Sequence, residues 1–96
     1  MTQLEAPEHA GSREQAQRVV EGLPSDLSGL VVVLDCSRLA ISTPSFLDEV
    51  VKEVLVERRA DALNLIDATE RTREQIERSA QNRQVAGRVH VALRVA

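Results

Sequence analysis

Between an apolar run and a helix-like stretch lies Ser42-Thr43-Pro44-Ser45, which carries three hydroxyls. Hydroxyls at a helix start serve one of two ends. They cap free backbone N–H groups, and a proline fits the first helical position, where its missing N–H has no partner anyway. Ser45 with Asp48 has capping-box spacing, and Thr43 before Pro44 is an ordinary helix entry. Alternatively, a partner reads them: a phosphate here would meet the positive helix end and its unpaired N–H groups. Thr43, Ser45 and Ser42 are the candidate phosphoacceptors.

Two aspartates, Asp35 and Asp67, stand near the carboxyl ends of two strand-like runs. Open α/β sheets bind ligands at that edge, so paired acids there would hold Mg²⁺ for phosphoryl chemistry or nucleotide binding. No glycine-rich phosphate loop or neighbouring lysine accompanies them, and Asp67 with Glu70 equally suits a helix N-cap. Cys36 and His90 are the remaining nucleophile–base pair. A lone cysteine after an apolar run behaves more often as a small hydrophobe, and no third orienting group is marked. No enzyme, metal site or cofactor is expected.

The elements that must position these residues read α-β-α-β-α-β. "SREQ" from Ser12 has the capping-box pattern, and Ala16, Val19, Val20 and Leu23 form one apolar stripe behind it. Leu30 to Leu34 is apolar at every position, as in a strand covered on both faces. Phe46, Leu47, Val50, Val51, Val54 and Leu55 then repeat at helical spacing, with Asp48, Glu49, Lys52 and Glu53 opposite. "ALNLI" from Ala62 reads as a second strand. Thr69 to about Arg83 reads as a polar surface helix supported by a Glu74–Arg78 pair. "RVHVALRVA" alternates strictly, as a half-exposed edge strand does. That edge either pairs with a second copy, receives a partner's strand, or is protected by Arg88 and Arg94. Residues 1–11 show no periodicity and are expected to form a flexible arm before a single domain over 12–96. The fold class is therefore α/β, a small sandwich with a mixed or parallel sheet of three to four strands and about three helices.

Composition narrows the function classes. The 27 Val, Leu and Ile residues are enough for one ordinary core. Phe46 is the only aromatic residue, which argues against stacking on single-stranded nucleic acid. The net charge is −3 with no basic block, so no nucleic-acid or anionic-membrane footprint is present. No apolar run approaches membrane-spanning length, and "MTQLEAPEHAGS" lacks a basic segment before an apolar one. A single cysteine forms no internal disulfide. A cytosolic location follows as the expectation.

Three stretches together resemble the STAS-like family, relatives of sulfate transporter and anti-sigma factor antagonist domains. "SREQAQRVVEGL" is similar to the family's leading helix. "VVLDCSRLAISTPSFLDEVV" is similar to its strand, short loop and helix start, and "LNLIDATERTREQIERS" to its second strand and following helix. They cover roughly residues 12–80. The resemblance implies a non-enzymatic regulatory interaction module, partnered by an ATP-binding anti-sigma-type kinase or regulator. In better-known members an Asp-Ser-Ser-Gly loop carries the phosphoacceptor. On that pattern Ser42 falls at the Asp, Thr43 at the acceptor, Pro44 at the second Ser and Ser45 at the Gly, so only Thr43 keeps the family's residue type. The implied partner surface runs from Ser37 and Arg38 through Ser45 onto the following helix at Asp48, Glu49 and Lys52.

Overall fold

The computed structural model describes residues 2–95. In chain order its elements are β1 (Thr2–Glu5), β2 (His9–Ala10), α1 (Arg13–Val20), β3 (Val31–Asp35), β4 (Ile41–Ser42), α2 (Pro44–Val51), β5 (Ala62–Ala68), α3 (Glu70–Asn82) and β6 (Val89–Leu93). A π-helical stretch, Lys52–Glu57, prolongs α2, and a 3₁₀ turn, Ala86–Arg88, precedes β6. The main sheet is ordered β1-β3-β5-β6 and every neighbouring pair is parallel. This is the expected α/β class, with four strands and three helices.

The strands follow one another across the sheet in chain order, each step made through one helix. Right-handed crossovers then place α1, α2 and α3 on the same face. Burial agrees. Val32 and Leu34 of β3 and Leu63 and Leu65 of β5 join Phe46, Leu47, Val50, Val54 and Ile76 in one core cluster. Val33, on the other face, is buried but lies outside that cluster. The continuous apolar run of β3 therefore does not mean helices on both sides. On its helix-free face Val33 sits between Gln3 of β1 and Asn64 of β5.

The expectation of a flexible arm over residues 1–11 is corrected. Thr2–Glu5 pair with Val32–Asp35 as an edge strand, and His9–Ala10 pair with Ile41–Ser42. Ala6 and Ala10 are buried in the core. The arm segment thus supplies backbone partners to β3 and to the loop before α2, and needs no apolar periodicity to do so.

Helix starts follow the residues offered. Ser12 Oγ accepts the Gln15 N–H at 3.2 Å, and Gln15 Oε1 reaches back to the Gly11 N–H at 2.7 Å, one residue before the cap. At α3 the cap is Thr69, whose Oγ1 accepts the Thr72 N–H at 3.2 Å. Asp67 is not the cap. It sits in the left-handed region (φ 54°) at the irregularity between Leu65 and Ala68.

Candidate interaction surface

Residues 36–43 leave the carboxyl end of β3 and are fastened at several points. The Asp35 carboxylate accepts the Ser37 N–H at 2.9 Å, which holds its pKa below the usual carboxylate range. Ala40 and Ile41 donate to the Glu8 carbonyl at 2.8 and 3.1 Å, and Thr43 to that of Ala10 at 3.0 Å. From the far end of the chain, Arg94 Nη2 donates to the Cys36 carbonyl at 2.8 Å and the Leu39 carbonyl at 3.3 Å. These bonds hold the loop in place and leave Ser37, Arg38, Ala40 and Ile41 at its surface. Ile41 is 56% exposed, unusually open for a β-branched aliphatic.

The three hydroxyls separate into three different environments. Thr43 Oγ1 accepts the Phe46 N–H at 3.2 Å and caps α2, with Pro44 following. Ser42 is buried. Its hydroxyl donates to Gln75 Oε1 at 2.7 Å and lies 3.2 Å from Thr72 Oγ1. Only Ser45 is exposed, in the first turn of α2.

Three adjoining depressions run past these residues. One, of about 270 Å³, lies between Ile41, Ser42, Thr69 and Arg71. The next, about 250 Å³, shares Arg71 and adds Pro44, Glu74, Gln75 and Arg78. The third, about 290 Å³, shares Pro44, Gln75 and Arg78 and adds Arg13 and Ser45. Together they make a shallow groove between the start of α2 and the outer face of α3. Arg38, Arg71 and Arg78 have no carboxylate of the described residues within 4.0 Å. The expected Glu74–Arg78 pair is not made, and Arg73 instead pairs with Glu70 and Glu77.

Deeper along α2, Glu49, expected on an exposed partner surface, is buried instead, and Asp48 is partly exposed. α2 lies between α1 and α3, and both neighbours direct polar side chains at these acids. Arg83 grips Asp48 with Nε and Nη2, each at 2.8 Å, while Ser79 donates at 2.7 Å and Arg13 at 2.8 Å. The Arg83 guanidinium, ahead of Ser79 and Arg13, holds the Asp48 carboxyl far below the usual carboxylate range despite partial burial. Glu49 is 2% exposed and takes bonds from Gln17 at 3.0 Å and Arg13 at 3.2 Å. Burial alone would raise its pKa. The Gln17 and Arg13 bonds and the nearby Lys52 ammonium outweigh it, and the net shift is downward. Lys52 Nζ lies 3.4 Å from Glu49. These charges bind the three helices to one another; Glu49 is closed off, while half-exposed Arg13 and partly exposed Asp48 also line the third depression.

Asp35 and Asp67 end adjacent strands, but the cationic group beside them is Arg94, which donates to the Asp67 carbonyl at 3.3 Å. Among the described residues no three His, Cys, Asp or Glu side chains cluster to hold a metal ion. Cys36 is buried, and burial, with the nearby Asp35 charge adding to it, pushes its thiol up to about 12. His90 is exposed beside Asn64, which is level with Val33 on β3. Cys36 lies two strands across and three residues further on, about 10 Å in each direction by ordinary strand spacing. The two do not meet.

Comparison with protein-family models, curated proteins and solved structures finds no match for the chain. No helix among the described residues is long and apolar enough to cross a membrane.

The residues that reading the sequence missed are Arg71, Gln75 and Arg78. Their signal was present in the unusual polarity of α3, which offers only Ile76 and Ala80 to a core and so must face outward along most of its length. Nothing in the sequence said that this face would lie beside the hydroxyl loop.

Proposed function

We propose that the chain is a non-enzymatic, cytosolic regulatory module of STAS-like type that binds a protein partner through the groove between the loop at residues 37–45 and α3. The observation that carries the reading is Ile41, an open aliphatic side chain held on a fastened loop and rimmed by the unpaired guanidinium of Arg71. An apolar anchor inside a charged rim is the usual composition of an interface centre. Arg38, Arg71 and Arg78 favour a partner with an acidic surface there, although the whole chain is acidic. By resemblance the partner class is an ATP-binding anti-sigma-type kinase or regulator.

Of the hydroxyls weighed for phosphorylation, Ser45 is the one a kinase reaches without removing a helix cap or a buried hydrogen bond. A phosphate on Ser45 would sit in the first turn of α2, in a depression lined by Arg78 and by Arg13 paired to Asp48, so Arg78 is the guanidinium free to meet it. Thr43 stands second, because modifying it would cost α2 its cap.

The test is affinity capture from native cells with the wild-type chain, Ile41→Asp and Arg71→Glu/Arg78→Glu, reading partner and modification state by mass spectrometry. An ATP-binding regulator should co-purify with the wild type and be lost from both variants, with phosphate, if present, on Ser45. Retention of that partner by both variants places the interaction elsewhere and overturns the reading.

A further inference from the structure

β6 is the outer strand of the main sheet, and no element of the described chain pairs with its far side. The two arginines positioned to guard that edge do not guard it. Arg88 turns inward to the carbonyls of Leu55, at 3.0 Å, and Ala60. Arg94 reaches across the top of the sheet to Cys36, Leu39 and Asp67. An edge without a charge folded over it is a template for another strand.

The groups on offer can be named. The Arg94 N–H points inward, to the Ala68 carbonyl at 2.7 Å. Backbone direction alternates along a strand, so the N–H and C=O of Val89, Val91 and Leu93 point outward. The Val89 N–H is already bonded to the Ala86 carbonyl. What remains is the Val89 carbonyl and both groups of Val91 and Leu93. Two antiparallel copies centred on Val91 would exchange two bonds between the Val91 residues. They would add one from each Leu93 N–H to the other copy's Val89 carbonyl, making four in all.

The side chains on the helix side fit the same register. Leu93 is 43% exposed and projects from the edge. Four residues away, Val89 borders a depression of about 230 Å³ walled by Glu77, Ala80, Gln81 and Ala86. Centring on Val91 sets each Leu93 opposite the other copy's Val89, beside that depression. Protrusion and depression lie on one edge, symmetrically about one residue, so a single two-fold axis makes the Leu93–Val89 contact twice.

We infer that this edge is a self-association surface, pairing β6 of two copies antiparallel about Val91 into a continuous eight-stranded sheet. A five-residue strand pair covers less than the roughly 1,200–2,000 Å² of stable complexes, so the dimer is weak and concentration-dependent, with Kd micromolar or above.

The experiment is sedimentation equilibrium of the 96-residue chain from about 10 µM to about 1 mM, alongside Leu93→Glu, which sets a carboxylate against the other copy's Glu77. Wild type should move from monomer toward dimer mass over this range. Leu93→Glu should raise Kd by at least about tenfold, its circular dichroism and thermal midpoint confirming an intact fold, since Leu93 lies outside the core. Monomer mass throughout the range overturns the inference. A wild-type dimer that Leu93→Glu leaves unchanged overturns it equally, because the contact then lies elsewhere. This edge shares no residue with the groove beside Ile41, so either surface can fail without the other.

Discussion

Two polar regions lie within one helix length of each other on α2 and its neighbours, and they treat charge in opposite ways. At Asp48 and Glu49, every carboxylate oxygen has a donor from α1, α2 or α3 within 3.4 Å. At Arg71 and Arg78, the guanidiniums border a groove and hold no carboxylate of the described chain. Residue type does not separate the two regions, since both belong to helix faces that look solvated in sequence. What separates them is whether a second helix passes in front. Where α1 and α3 close over α2, charge becomes internal cohesion. Where α3 runs on past the start of α2, charge is left facing the groove.

Acid should break the first region most severely, because it neutralises both carboxylates at once. Asp48 and Glu49 have folded-state pKa values below their unfolded ones. Groups shifted this way contribute stability that is fully present above the unfolded carboxylate range, near pH 4, and is lost as pH falls through the folded values. The urea midpoint should therefore be flat from about pH 5 to 8 and fall steadily below about pH 4. An Asp48→Asn/Glu49→Gln chain should lose most of that acid dependence. If the wild-type midpoint is the same at pH 3 and pH 7, the network contributes nothing.

A single substitution takes a smaller share. Asp48→Ala leaves the buried Ser79 hydroxyl and the Arg83 guanidinium without their acceptor. Breaking an ion pair in the interior costs about 3–5 kcal/mol, and partial exposure here reduces that to about 2–3 kcal/mol. For a domain of this size the thermal midpoint should drop by roughly 10 °C or more. Ile41→Asp in the groove should shift it by about 4 °C or less, since surface changes away from caps and cores stay within about 0.5 kcal/mol. Calorimetry on the pair sharpens the contrast. A large loss from Ile41→Asp would make the groove a structural feature rather than an exposed surface.

How much of this was legible depended on whether the cause was local. The Ser12–Gln15 cap, the Thr43–Pro44 entry and the stripe from Phe46 to Leu55 are written within a few residues of one another, and they form as spaced. β1 and β2 were not legible, because residues 2–10 are ordered by parallel pairing with partners about thirty residues away and need no pattern of their own. Glu49 was illegible for a related reason. A glutamate opposite an apolar stripe reads as solvated, and only the passage of α1 brings Arg13 and Gln17 onto it. The candidate loop was visible as a hydroxyl cluster, but its division into a cap, a buried donor and an exposed serine follows from where α3 lies.

That division yields the smallest and most selective test. Thr43 and Ser45 are two residues apart, and in sequence both qualify as caps of the same helix. In the structure only Thr43 accepts a main-chain N–H, from Phe46. Thr43→Ala should then destabilise by about 1 kcal/mol, the usual worth of a lost N-cap, whereas Ser45→Ala should stay within about 0.5 kcal/mol. Thr43→Ser, which keeps the acceptor oxygen, should recover most of the loss. Equal costs at 43 and 45 in urea unfolding would mean that Ser45 also supports the helix. Ser45 would then lose its standing as the hydroxyl free to be modified, and the contrast between the closed and open regions of α2 would stop at the helix start.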